Sequence, residues 1–202
     1  MIAVGKVLKK INPKCKVVFI GPCIVKKAEA KALDLREYID FVLTFTELKD
    51  IFEVLEIKPS HLKETISSEY ASLGGRLYGR TGGVSIAVSD ALAYLFPKKH
   101  VLFKAVQANG VKECKEILLN IQNDKIDANF IEGMGCIGGC SGGPKSLIPK
   151  DDCIRAIDRF AGNSEIRVAT ESECMLSILK KIDINSLDDF KNNKVEIFER
   201  KF

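Results

Sequence analysis

"NFIEGMGCIGGCSGGPKSL", residues 129–147, runs from a short apolar stretch into a loop with six glycines between Gly133 and Gly143 and two cysteines, Cys136 and Cys140, four positions apart. An unpaired cysteine is usually a small buried hydrophobe, yet here both thiols fall where packing partners are few. Glycines let a backbone approach a bound group closely and aim N–H donors at it. In open parallel sheets, ligands bind beyond the ends of the strands. A strand feeding a glycine–cysteine loop therefore predicts both a site and a parallel α/β fold.

The flanking sequence agrees. Upstream, Thr81-Gly82-Gly83 opens a helical pattern over 84–96 that Pro97 ends, 100–107 reads as a strand, 113–121 as a helix, and 128–131 as the strand entering the loop. Nearer the N-terminus, Ile2, Val4, Val7, Leu8 and Ile11 have helical spacing. The run 17–20 is a buried strand stopped by Gly21 and Pro22, 26–35 favours helix, and 38–45 is a second strand. Thr46 is expected to cap a helix through Leu55, with Glu47 in its first turn. Such alternation predicts α/β architecture, parallel sheets flanked by helices, with strands buried on both faces. Residues 58–80, with Pro59, Gly74, Gly75 and Gly79, read as one long loop. After residue 145 the pattern becomes helical, at 154–160 and 174–182, so the expected division is an α/β region over 1–145 and a helical C-terminal extension over 146–202, packed on the same domain.

Composition narrows the chemistry. With 202 residues, 46% hydrophobic and 29% charged, the chain can bury a core and is not disordered. No apolar run approaches the roughly 20 residues of a membrane span, and a net charge of +4 spread along helical faces gives no nucleic-acid footprint. A soluble, cytoplasmic protein is expected. The seven cysteines are an odd number in a chain too large to need disulfide staples, which fits thiol or metal chemistry in a reducing compartment. His61 and His100 neighbour no cysteine in sequence, which weakens a Cys/His zinc site and a Cys–His nucleophile pair alike. A thiolate-rich site for a soft metal remains; zinc ranks second, because no CxxC pair occurs.

Cys23, Cys136 and Cys140 follow strand ends beside Gly or Pro, whereas Cys15, Cys114, Cys153 and Cys174 lie in helical or linker sequence and read as filler. Lys26 follows Cys23 by three residues and Glu29 follows Lys26 by three, which stacks them on one helical face. Taken alone, that run is a solvated helix with routine charge pairs.

At these residues the sequence resembles a family. PCIVKKAE (22–29) is similar to the second signature of the iron-only (FeFe) hydrogenases, M-P-C-x-x-K-x-x-E, and EGMGCIGGC (132–140) resembles the third, E-x-M-x-C-x-x-G-C. DFVLTFTEL (40–48) and GRLYGRTGGV (75–84) stand between them in family order, so the resemblance spans roughly residues 1 to 145. It implies the C-terminal domain of the large subunit, whose H-cluster joins a 4Fe–4S cubane through a cysteine thiolate to a two-iron subsite carrying CO and cyanide. By this resemblance Cys23 and Cys136 would ligate the cubane and Cys140 would bridge to the two-iron subsite. Lys26 would donate to a cyanide, Met134 would pack against the subsite, and Tyr78 and Gly79 would line the ligand pocket. Glu29 and Glu132 would hold the loops.

The departures carry weight as well. The family's first signature, T-S-C-C-P, which supplies a cubane ligand and a proton-transfer cysteine, is missing, and Cys15 in NPKCKVV does not replace it. The chain is therefore expected to be a fragment of a longer protein, inactive alone and without bound cluster, whose parent interconverts protons, electrons and hydrogen. Its expected partners are a redox protein such as ferredoxin or upstream iron–sulfur domains, and a regulatory domain in the same chain. Gly21 replaces the methionine of the second signature, and SGGPKSL (141–147) lacks the usual G-G-G-Q-P. These variants resemble the sensory branch of the family, so the alternative is a slow or non-catalytic domain that binds a 4Fe–4S cluster for hydrogen or redox signalling. Without metal, the loop 133–143 is expected to be mobile or collapsed.

Overall fold

A computed structural model describes residues 1–63, 65, 71–191 and 195–200. Helix α1 (Ile2–Ile11) precedes strand β1 (Val18–Gly21), helix α2 (Val25–Lys31), strand β2 (Phe41–Thr44) and helix α3 (Phe45–Val54). Helices α4 (Leu73–Leu77), α5 (Gly83–Leu95) and α6 (Pro97–His100) follow, then strand β3 (Ala105–Asn109), helix α7 (Val111–Gln122) and strand β4 (Phe130–Met134). Helices α8 (Lys150–Gly162), α9 (Glu173–Lys180) and α10 (Asp188–Lys191) complete the order. The chain divides into two compact units, one of Met1–Ser67 with Cys174–Phe202 and the other of Ser68–Glu173.

Each unit holds one two-stranded parallel sheet, β1 with β2 and β3 with β4. Parallel neighbours need a crossover, supplied by α2 in the first unit and by α7 in the second. The fold is thus α/β, with two small parallel sheets flanked by helices.

In the first unit, α1 turns Val7 onto Leu179, Ile182 and Ile184, with Met175, Phe190, Val195 and Ile197 around them. The expected burial of strands on both faces does not hold here. Val18 is 46% and Phe41 61% exposed, and their register places them side by side, so one face of this sheet is open among the described residues. The cap of α3 also differs from expectation. Thr44, not Thr46, is the N-cap: its hydroxyl accepts the Glu47 N–H at 3.3 Å while a Glu47 carboxylate oxygen accepts the Thr44 N–H at 2.7 Å. This reciprocal pair satisfies two N–H groups that a helix start otherwise leaves unpaired.

The expected loop over 58–80 lies partly outside the described residues, and its last part, in the second unit, forms α4, capped by Ser72, whose hydroxyl accepts the Gly75 N–H at 3.1 Å. The close crossing of α4 and α5 explains Gly74, which reads from sequence as a loop marker, and Gly83, which reads as the opening of a helix and begins α5. A Cβ at Gly83 would lie 1.8 Å from the Leu77 carbonyl oxygen, and one at Gly74 would lie 3.0 Å from the Ala87 Cβ. Pro97 ends α5, as expected, but also occupies the first position of α6. That extra turn delays the third strand from the expected 100–107 to Ala105–Asn109.

Candidate metal centre

The first unit carries Cys23 and Lys26. Cys23 lies between the end of β1 and the start of α2, partly buried. Gly21 before it is buried, and a Cβ there would meet the Phe19 ring at 2.9 Å, so a larger side chain at this position would have to displace that ring. Lys26 Nζ pairs with the Glu29 carboxylate, three residues on along α2, so the Lys26–Glu29 part of the stacking read from the sequence is realised as an ion pair, while Cys23 precedes the helix, which starts at Val25. Next to it, Lys27 Nζ donates to Glu47 Oε1 at 2.6 Å and ties α2 to the capping box of α3. That ammonium, with the N–H and hydroxyl of Thr44, lowers the Glu47 carboxyl to about 2.

The second unit carries Tyr78, Gly79, Met134, Cys136 and Cys140. Met134 ends β4, paired in register with Asn109 at the end of β3. The loop then turns twice: the Gly139 N–H donates to the Cys136 carbonyl at 3.0 Å and the Gly143 N–H to the Cys140 carbonyl at 2.9 Å. Gly138 and Gly139 take positive φ values of 90° and 73°, conformations that a side chain would strain. Cys136 is partly buried and Cys140 is exposed.

Protein groups fasten this loop on two sides. The Gly79 carbonyl accepts from the Ser141 N–H at 2.9 Å and from the Ser141 hydroxyl at 3.0 Å. On the other side, Asn109 Oδ1 accepts the Gly138 N–H at 2.6 Å and the Thr81 hydroxyl at 2.9 Å. The loop is tied by its own chain, contrary to the expectation that its order would depend on a metal. Gly79 therefore supports the cysteine loop through its carbonyl oxygen. Tyr78, half exposed, lines a cavity of about 420 Å³ together with Gly75, Ala87, Asp90 and Arg167.

Asn109 is not a candidate from sequence, Thr81 reads there only as the opening of a helix, and Ser141 only as the start of the departing segment 141–147. Asn109-Gly110 is a turn dipeptide whose signal was available, but the strand was placed two residues too early for it to stand at the strand end.

Within the second unit the donors are two thiols in a glycine-rich loop, a set that suits iron–sulfur chemistry and not a hard cation. No group of three or more metal-binding side chains occurs among the described residues. The loop by itself therefore provides two thiol donors, fewer than a closed metal site needs. No helix among the described residues is long and apolar enough to cross a membrane.

A model of the iron only hydrogenase large subunit, C-terminal domain, matches residues 1–144. Among solved structures, an apo FeFe-hydrogenase HydA1 variant from Chlamydomonas reinhardtii is 17% identical, with a TM-score of 0.63, and the match covers 88% of this chain and 63% of that one. A second variant of the same algal enzyme is 18% identical, with a TM-score of 0.65, and the match covers 89% and 63%. The HydA structure described as revealing stepwise H-cluster assembly is also 18% identical, with a TM-score of 0.63 and the same coverage. At these identities the likeness speaks for the fold. The chain spans about 63% of the length of these solved relatives.

Proposed function

This chain belongs to the family of the iron only hydrogenase large subunit, C-terminal domain, and from that premise we propose that its cysteine loops are ligand arms for an iron–sulfur cluster in a hydrogen-handling protein. Cys136 and Cys23 would hold a 4Fe–4S cubane, and Cys140 would bridge it to a two-iron subsite. When bound, such a group supplies the reversible union of two protons and two electrons into hydrogen. The observation that carries this reading is the loop itself. Cys136 and Cys140 stand at the C-terminal end of a parallel strand, on a backbone fixed by Asn109 and Gly79.

The remaining residues support it in kind. Lys26 presents a cation three residues from Cys23, and a buried anionic ligand such as cyanide would compete with Glu29 for that ammonium. Electrons would reach the site from a redox partner such as ferredoxin or from iron–sulfur domains of a longer chain. A second reading, slow or non-catalytic sensing, is favoured by Gly21 and by Ser141, which departs from the usual third-signature ending and spends both its donors on the Gly79 carbonyl.

Anaerobic reconstitution with ferrous iron and sulfide tests the shared core of both readings. Iron and sulfide bound in equal amounts, and lost in Cys23→Ala, Cys136→Ala and Cys140→Ala, is the expected result. Uptake of zinc alone, or of nothing, would overturn it.

A further inference from the structure

The end of β3 makes three separate attachments to the cysteine loop within two residues. The Asn109 carboxamide oxygen accepts the Gly138 N–H at 2.6 Å, and the Gly110 N–H donates to the Met134 carbonyl at 2.8 Å. Gly110, at φ 106°, lacks the Cβ that would otherwise lie 2.9 Å from Ile137 Cγ1, so the Ile137 side chain rests on bare backbone. Met134, Ile137 and Gly138 bracket Cys136. The same Asn109 oxygen accepts the Thr81 hydroxyl at 2.9 Å, and the Thr81 N–H donates to the Gly138 carbonyl at 3.4 Å, so the turn after Gly79 is joined to the seat.

We infer that Asn109 and Gly110 form a seat that presets the Cys136–Cys140 loop for a cluster before any metal arrives. They are positioning residues, acting through the backbone of the loop and touching no metal themselves. A flexible loop with two thiols would lose conformational entropy on taking up a cluster, and a backbone already held in its turns has lost that entropy in folding. The chemistry of the seat is specific. A backbone N–H only donates, so Gly138 requires an acceptor opposite, and the carboxamide oxygen serves both Gly138 and Thr81. The Asn109 amide nitrogen has no hydrogen-bond partner among the described residues. An aspartate meets the same demand, whereas a leucine of similar size does not. This inference rests on the iron–sulfur reading for its purpose, and its test has one arm that does not.

Amide hydrogen exchange over residues 134–143 of the metal-free chain is the first arm, comparing wild type with Asn109→Leu and Asn109→Asp. In Asn109→Leu the Gly138 and Gly139 amides should exchange roughly tenfold faster, the size of effect expected for losing one good hydrogen bond, while Asn109→Asp stays near wild type. Unchanged exchange in Asn109→Leu overturns the seat. The second arm is anaerobic reconstitution of the same proteins with ferrous iron and sulfide. Asn109→Leu should bind several-fold less iron, and Asn109→Asp should keep its iron while its cluster potential moves negative, because a carboxylate has been set beside the loop. Equal iron in Asn109→Leu and wild type overturns the seat and leaves the cluster reading standing. A wild type that binds no iron overturns the cluster reading, and the exchange arm then decides the seat by itself. A variant damaged only in overall folding would lose melting temperature in both substitutions and would not be rescued by aspartate.

Discussion

Glu132 binds Ser85 twice through one carboxylate oxygen, accepting the Ser85 N–H at 2.8 Å and the Ser85 hydroxyl at 2.6 Å, while its other oxygen accepts the Gly82 N–H at 2.8 Å. Glu132 is buried in the middle of β4, four residues before Cys136, and its two N–H donors belong to the first turn of α5 and the residue before it. The strand that delivers the cysteine loop is thus joined to the helix that follows the Gly79 turn, and a negative charge is held where the helix dipole favours it.

Removing that carboxylate should be costly. Glu132→Ala leaves the buried Ser85 N–H and hydroxyl without an acceptor, with an expected loss of about 2–4 kcal/mol, read as a lowered urea midpoint followed by circular dichroism. Glu132→Gln keeps one acceptor and should lose less. An Ala variant with the wild-type midpoint would show that these bonds add nothing to stability.

Gly142 should tolerate no side chain. An added Cβ would lie 1.9 Å from the Ile137 carbonyl oxygen, so Gly142→Ala must open the turn between Cys136 and Cys140. Iron uptake in anaerobic reconstitution should fall severely in this variant, whereas Gly135→Ala, where nothing lies within 4 Å of the added Cβ, should bind iron as wild type does. Equal uptake by both variants would mean that the turn is not what holds the thiols in place.

What the sequence made legible followed from local rules. The helical spacing of Ile2 to Ile11 reproduces α1, and the strand–loop reading around Cys136 stands, because apolar period and glycine punctuation act within a few residues. What it concealed depended on partners distant in sequence. Ser141 meets Gly79 across 62 positions and Gly138 meets Asn109 across 29, and no spacing rule links such pairs. Gly74 looked like a loop residue because its actual role, letting two helices touch, appears only once the helices are packed. Cys23, Lys26 and Glu29 fall in the unit that holds β1 and β2, and Tyr78, Gly79, Glu132, Met134, Cys136 and Cys140 in the unit that holds β3 and β4.

The choice between Thr44 and Thr46 as cap of α3 can be decided by substitution. Thr44 is 1% exposed and its hydroxyl accepts the Glu47 N–H, so Thr44→Ala should cost about 1 kcal/mol, within the usual range for losing an N-cap. Thr46 contacts the Thr44 hydroxyl at 3.1 Å without bonding the helix backbone, and Thr46→Ala should cost a few tenths of that amount. Urea denaturation of both variants reads the difference, and the reverse order would restore Thr46 as the cap.

Acid should weaken the first unit through two carboxylates. Lys9 first, then the Val17 N–H and Lys16, hold the Asp40 carboxyl far below its ordinary 3.8, and Lys27 with Thr44 lowers Glu47 from 4.5 to about 2. A carboxylate whose folded pKa is depressed binds its proton more readily in the unfolded chain. Its contribution is therefore complete above the ordinary value and is lost as pH falls toward the folded one. The urea midpoint should hold steady from pH 7 to about 5 and decline from there toward pH 2. Asp40→Asn and Glu47→Gln should be less stable than wild type at pH 7, and the gap should narrow as the pH approaches 2, where the unfolded wild-type chain has both carboxyls protonated and folding must give those protons up. A gap that stays constant down to pH 2 would place the loss in packing and hydrogen-bond geometry, because by then the unfolded chain carries both carboxyls protonated and most of the charge contribution to stability is gone.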